Sequence, residues 1–183
     1  MYEPSEDSLF LSKVIAEVRA DRVAEVGVGS GFVIDGYVQA NAPEVAVGTD
    51  VDVEAIKVAR GRGGHDSIEY VLCRSCDGFR EDAFQLVFFN PPYLKDEGTD
   101  DAATSGGKGG VERTFGMACS SYGALASQGC MIFLASTLSD VESLLHQLHE
   151  EGMSPRKLAS LKLFFEELHA FKVTKESLNR KSR

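Results

Sequence analysis

Short apolar segments typical of strands alternate with amphipathic segments typical of helices, and this alternation constrains the fold most. Strands are predicted at residues 22–28, 44–50, 67–73, 84–89, 130–135, 157–164 and 168–173. Helices are predicted at residues 5–19, 31–41, 53–62, 111–126 and 138–151, and a glycine-rich loop at 99–110. This repetition predicts an α/β fold with a doubly wound, mostly parallel seven-stranded sheet and an antiparallel C-terminal hairpin.

Composition and charge narrow the class of protein. The 183 residues are 43% hydrophobic and 26% charged, so we expect a single domain over residues 1–183 with one sizeable core. A net charge of −9 and a pI of about 4.9 argue against unaided binding to nucleic acid and favour a basic protein partner or substrate. No apolar run approaches the ~20 residues of a membrane span, and the first residues are acidic. We therefore expect a cytoplasmic protein without membrane association.

The tetrapeptide Asn90-Pro91-Pro92-Tyr93 directly follows the apolar strand predicted at residues 84–89. Each proline lacks an N–H and holds φ near −65°, so the backbone is fixed just past the carboxyl end of the strand, where open α/β sheets bind ligands. The Asn90 side chain and the Pro91 carbonyl would then be fixed acceptors beside the flat ring of Tyr93. This arrangement suits a planar –NH2 group, whereas the alternative is an ordinary Pro-Pro turn.

A glycine-rich turn formed by Gly27, Gly29 and Gly31 ends the first predicted strand and opens a helix. Glycines there let a ligand approach the backbone closely, and the helix N-terminus directs amides at it. A dinucleotide fingerprint would require glycine where Phe32 stands, so NAD binding is the weaker interpretation.

Two carboxylates follow the next two strands. Asp50 ends the second strand, where it could accept from both hydroxyls of a ribose, although it could also cap the next helix. Asp77 follows the third strand, where it could accept from an adenine amino group; as a residue before Gly78 it is also typical of a turn.

Together, a glycine turn, two carboxylates and Asn-Pro-Pro-Tyr after four strands resemble the class I S-adenosylmethionine-dependent methyltransferases, whose sheet is Rossmann-like. Within them the chain resembles the HemK-like glutamine methyltransferases that modify peptide-chain release factors. Residues 2–9, YEPSEDSL, are similar to the YEPAEDT opening of the short archaeal and eukaryotic branch, and residues 105–110 to the family's glycine-rich loop. Members of that branch act on a Gly-Gly-Gln tip together with a small zinc-binding activator subunit.

The resemblance implies roles for named residues. Asn90, Pro91, Pro92 and Tyr93 would receive the substrate amide. S-adenosylmethionine would be bound by Ser8, Glu25, Gly27, Gly29, Gly31, Asp50, Asp77, Gly78 and Asn90. One position departs from the family, because Gly78 replaces a usual leucine that would pack on adenine. The resemblance also implies a release factor as substrate and a heterodimer with the activator.

Other functions remain open at this level. The same site would suit a lysine or an adenine amino group, and a non-catalytic binding module could retain the fold. Cys73 and Cys76 form a CxxC pair that lacks two further zinc ligands, and His146 and His149 match no metal-protease motif. We therefore expect no metal site.

Overall fold

The computed structural model describes residues 5–62, 67–92 and 108–176. Its helices are α1 (Glu6–Ile15), α2 (Phe32–Asn41), α3 (Val53–Gly61), α4 (Lys108–Ala124) and α5 (Val141–Glu150). Its strands are β1 (Arg22–Val26), β2 (Val45–Asp50), β3 (Ile68–Leu72), β4 (Phe84–Phe89), β5 (Leu125–Ser136), β6 (Arg156–Lys162) and β7 (Glu167–Thr174). Tyr93, residues 2–4 and residues 105–107, which the sequence analysis singled out, lie outside the described residues.

The seven strands form one sheet in the order β3-β2-β1-β4-β5-β7-β6. Strands β1 to β5 are parallel, whereas β7 runs antiparallel to both β5 and β6. This confirms the predicted doubly wound, mostly parallel sheet with an antiparallel C-terminal hairpin.

The core has two halves, one on each face of the sheet. In β4, Leu86 and Phe88 pack with the side chains of α1, α2 and α3, whereas Val87 and Phe89 pack with those of α4 and α5. A strand covered on both faces is apolar at nearly every position, which explains why β4 lacks the alternation of a half-exposed strand. No helix within residues 5–62, 67–92 and 108–176 is long and apolar enough to cross a membrane.

Several predicted boundaries differ from the structure for local reasons. Strand β1 ends at Val26 because Gly27 has a φ of +70°, which extended strands do not adopt. Helix α4 begins at Lys108, so the last three residues of the predicted loop are helical. Strand β5 begins at Leu125 and accommodates an irregularity at Gln128, whose φ is +63°.

Candidate active site

The glycine turn leaves the sheet at the end of β1. Gly27, Gly29 and Gly31 have φ values of +70°, +51° and +75°, which side chains disfavour. A Cβ at Gly31 would lie 3.2 Å from Ala59 Cβ, so this glycine lets the turn approach α3. A Cβ at Gly29 would have no heavy atom within 4 Å. The turn therefore borders open space at Gly29, where a ligand can lie against the backbone.

Asp50 joins the end of β2 to this turn. Its Oδ2 accepts a hydrogen bond from Gly29 N at 3.0 Å, and its Oδ1 accepts from Asp52 N at 3.0 Å. The side chain is partly exposed. Since a carboxylate has about four lone-pair positions, Asp50 keeps acceptor capacity for a diol beside Gly29.

Glu25 is buried beneath the turn, with 4% of its surface exposed. Its Oε2 accepts a hydrogen bond from Ile34 N in the first turn of α2 at 2.9 Å. Gly31 occupies the N-cap position of α2 and has no side chain to cap the helix, so Glu25 supplies the cap instead. Burial raises the pKa of Glu25 to about 8, and Asp50 adds to the increase while the Ile34 amide opposes it. In the structure, this residue fixes the turn to α2, and its implied cofactor contact stays a prediction.

We predict that Glu25 makes stability depend on pH. Its pKa lies at about 8 when folded, against 4.5 normally, so the folded protein retains a proton that the unfolded chain releases. The contribution of Glu25 to stability therefore falls as pH rises from about 5 to about 8. Glu25→Gln cannot titrate, so it should gain stability relative to wild type over that range. Melting temperatures of both proteins, measured from pH 5 to pH 9, test this; parallel curves would contradict it.

Asp77 lies in the loop after β3, five residues past Leu72. Its Oδ1 accepts from Ser120 Oγ on α4 at 2.6 Å, and that same Oγ accepts from Cys76 N at 2.9 Å. Helix α4 thus fixes this exposed carboxylate. A Cβ at Gly78 would have no heavy atom within 4 Å, so the position has room for the leucine that is usual in the family.

Asn90 follows β4 at the same edge of the sheet. Its Nδ2 donates to Asp7 Oδ2 at 2.6 Å, and Asp7 Oδ1 accepts from Ser8 N at 2.8 Å. Because an ionised carboxylate only accepts, the NH2 end of the Asn90 amide must face Asp7, and Oδ1 points away from it. Pro91 is buried and Pro92 exposed.

The register of the sheet brings these residues together. β1 and β4 are neighbours with Val26 opposite Phe89, so Gly27 and Asn90 leave the sheet side by side. The strand order reverses between these two strands, and such a switch point is where open α/β sheets bind ligands. Ser8 lies in the first turn of α1, one residue after the Asp7 that contacts Asn90.

Sequence reasoning missed two residues that hold this site in place. Asp7 has no site role predicted from sequence, although it lies within the N-terminal segment on which the resemblance depends. Ser120 had no signal, because its contact with Asp77 spans 43 residues of sequence.

The other polar motifs make local contacts within the chain. Cys76 is buried, which raises the pKa of its thiol to about 12, and the Cys73 thiol donates to Ser75 O at 3.4 Å. His146 lies 3.6 Å from Glu150 on an exposed face of α5. The described part of the chain contains no group of three or more His, Cys, Asp or Glu side chains placed to hold a metal ion.

Comparison with known sequences identifies related proteins. The model of the methyltransferase small domain matches residues 5–155. A protein of Methanocaldococcus jannaschii assigned as a protein N5-glutamine methyltransferase is 31% identical over 176 residues, covering 92% of this chain and 88% of the relative. The release factor glutamine methyltransferase of Bradyrhizobium diazoefficiens is 32% identical over 77 residues, covering 40% of this chain and 26% of the relative.

Solved structures share the fold. A chain of the E. cuniculi Mtq2–Trm112 complex, which is responsible for methylation of the translation termination factor eRF1, superimposes with a TM-score of 0.74 at 23% identity. The match covers 96% of this chain and 98% of that chain. The N-methyltransferase NodS from Bradyrhizobium japonicum, bound to S-adenosyl-L-homocysteine, gives a TM-score of 0.67 at 14% identity, covering 94% of this chain and 87% of NodS.

Proposed function

The chain belongs to the methyltransferase small domain family, and we propose that it transfers a methyl group from S-adenosylmethionine to a glutamine side-chain amide in a peptide-chain release factor. The Methanocaldococcus jannaschii relative supports glutamine as the acceptor. The observation that carries the proposal is the placement of Asn90, oriented by Asp7, beside the glycine turn at the switch point of the sheet. We propose that this chemistry takes place in the cytoplasm.

The residues present fit S-adenosylmethionine. Gly29 offers open space against the backbone, Asp50 offers carboxylate oxygens for the ribose hydroxyls, and the exposed Asp77 offers an acceptor for the adenine amino group. When bound, the cofactor supplies a methyl group activated on a positively charged sulfur. Ser8, Glu25, Gly27, Gly31, Gly78 and Asn90 would complete the site.

Asn90 and Pro91 would prepare the acceptor nitrogen. An amide nitrogen reacts poorly because its lone pair is delocalised into the carbonyl. Asn90 Oδ1 and the Pro91 carbonyl would accept from the two N–H groups and hold the nitrogen in line for attack. The family resemblance implies that Pro92 and Tyr93 also receive the substrate amide. The buried Pro91 helps to exclude water. The proton lost from the methylated nitrogen would leave to water past the Asn90 oxygen.

The same site could accept a lysine or an adenine amino group. The net charge of −9 disfavours the nucleic acid, since phosphate binding depends on basic residues. Transfer of a labelled methyl group to a release-factor domain, a lysine-containing protein and an adenine-containing duplex would separate the three acceptors. We expect transfer to the release factor alone.

We also propose a partner, a small zinc-binding subunit in a heterodimer. The E. cuniculi neighbour, solved in a complex, supports a partner subunit, and the family resemblance implies that this subunit is small and binds zinc. We propose the β3 edge as its docking site, because the two edges of the sheet differ in exposed charge. The edge strand β6 carries Arg156, Lys157 and Lys162, all exposed, and charges of this kind protect an edge from pairing. The opposite edge, β3, ends on the exposed Val71 and Leu72. An added strand at β3 would cover these side chains.

We therefore predict that Val71→Lys/Leu72→Lys no longer co-purifies with the partner subunit. In the complex, the two introduced charges on the β3 edge would have to be buried without a counter-charge. The pairing of β3 with β2 should stay intact, so the variant should still fold. Leu158→Lys, on the edge strand that is already basic, is the matched control. Size-exclusion chromatography of the co-expressed proteins measures the complex. Equal complex formation by all three proteins would refute β3 as the docking edge.

A further inference from the structure

The turn between β6 and β7, which we call the hairpin tip (Leu163–Glu166), lies at the same edge of the sheet as Asn90. Leu163 N donates to Glu166 O at 2.8 Å and closes the turn. Strand β7 begins beside Ser136 at the carboxyl end of β5, which is parallel to β4. Only β5 and β7 separate β4 from β6, so the hairpin tip stands roughly 10–15 Å from β4 at the usual strand spacing.

The two central residues of the hairpin tip are aromatic and almost fully exposed. Phe164 is 92% and Phe165 85% exposed, the highest values among the large exposed hydrophobic side chains in the described residues. Their rings contact each other edge to face with centroids 4.7 Å apart. Two-residue hairpin turns favour glycine, asparagine and aspartate, so local turn chemistry does not explain two phenylalanines.

Polar bonds to Ser136, the last residue of β5, and to Thr137 after it fix the hairpin tip in position. The Ser136 hydroxyl, which is fully buried, donates to Glu166 Oε2. Glu167 N donates to Thr137 Oγ1 at 2.9 Å, and Thr137 N donates to Glu167 O at 3.0 Å. A turn that is closed by its own hydrogen bond and tied at Glu166 and Glu167 to the neighbouring strand end loses little conformational freedom when a partner binds, so the aromatic pair is preorganised for contact.

An apolar groove lies beside β6 at the same edge and extends along α1. Leu161, two residues before the hairpin tip, lines it together with Leu9, Phe10 and the charged Glu6 and Lys13 of α1. Helix α1 also carries the Asp7 that contacts Asn90. The groove therefore joins β6, which leads into the aromatic tip, to α1, which contacts the proposed acceptor residue Asn90.

We propose that the hairpin tip docks the acceptor protein, which packs an apolar surface on Phe164 and Phe165 while its glutamine reaches Asn90. This inference rests on the proposed function. The occupant is the acceptor protein because the tip and groove adjoin the acceptor position, where a second copy would obstruct substrate entry. A membrane is disfavoured because a chain with a net charge of −9 is repelled by anionic lipid.

The test compares wild type, Phe164→Ala/Phe165→Ala and the control Leu158→Ala, which alters a half-exposed side chain of β6. Each is assayed as the complex with its partner, using a release-factor domain and a short peptide containing the same glutamine. We expect the double variant to raise KM for the domain about tenfold or more, while KM and kcat for the peptide stay unchanged. The control should match wild type on both substrates.

Each result is distinguishable. Wild type that methylates neither substrate overturns the proposed function and this inference with it. If wild type and the double variant methylate the domain with equal KM values, the docking role is overturned and the proposed function stands. Light scattering measures self-association, and sedimentation with anionic vesicles measures membrane binding. If the double variant loses self-association at unchanged KM, the tip binds a second copy of the chain. If it loses vesicle binding at unchanged KM, the tip binds a membrane.

Discussion

Replacing Asn90 by Ala is expected to lower kcat by about 100-fold or more, while affinity for S-adenosylmethionine stays within a few fold. The main role of the side chain would be to orient the acceptor amide, and without it the cofactor would keep its contacts with Asp50, Asp77 and the glycine turn. Loss of orientation alone can remove several kcal/mol of barrier reduction. Steady-state turnover on the protein substrate and calorimetric titration of the cofactor measure the two effects separately.

Two further variants sharpen this test. Asp7→Ala leaves Asn90 in place but removes a carboxylate that orients its amide, so a smaller loss in kcat of about tenfold is expected, with cofactor affinity within a few fold of wild type. Asn41→Ala removes an asparagine whose Nδ2 caps Tyr37 O at the end of α2, and it controls for loss of an amide elsewhere. If the folded Asn90→Ala enzyme kept most of its turnover, Asn90 would not receive the substrate.

Replacing Asp50 by Ala is expected to weaken cofactor binding by at least tenfold. The change removes two charge-assisted hydrogen bonds to the ribose, each worth roughly 1.5–3 kcal/mol. It also removes the acceptor for Gly29 N, so the glycine turn loses its tie to β2. Both effects act on cofactor binding and leave the two halves of the core intact.

Asp52→Ala is the matched control for this experiment, because Asp52 lies two residues away and caps α3 by accepting from Glu54 N at 2.9 Å. Its loss should lower stability by about 1 kcal/mol without a comparable change in cofactor affinity. NAD titrated under the same conditions should bind more weakly than S-adenosylmethionine. Unchanged affinity in Asp50→Ala, or tighter binding of NAD, would remove the cofactor assignment.

The order and type of the elements could be predicted from sequence because local signals agree with the fold. The buried run Phe84–Phe89 gives β4 its predicted bounds, since two prolines follow it and end the strand. Where a turn of the backbone ends a strand and apolar residues continue past it, the strand predicted from the sequence is too long. The prediction of a strand through Phe164 is wrong by two residues, because the chain turns after Lys162 and exposes apolar residues that resemble a continuing strand.

The connections within the site could not be predicted, because they join residues far apart in the chain. Asp7 contacts Asn90 across 83 residues, and periodicity carries no information on such pairs. Glu25 shows a second limit. The family resemblance implies that it contacts the cofactor, whereas its burial and its bond to Ile34 depend on how α2 packs against β1.

The central claim is that the acceptor is a glutamine side-chain amide. Tandem mass spectrometry of a release-factor domain, after incubation with the enzyme complex and isotopically labelled S-adenosylmethionine, tests it most directly. The account predicts a single labelled methyl group on the side-chain nitrogen of one glutamine, absent when Asn90→Ala replaces the wild-type enzyme. A labelled methyl group on a lysine, or on any other residue of the release factor that is not a glutamine, would contradict it.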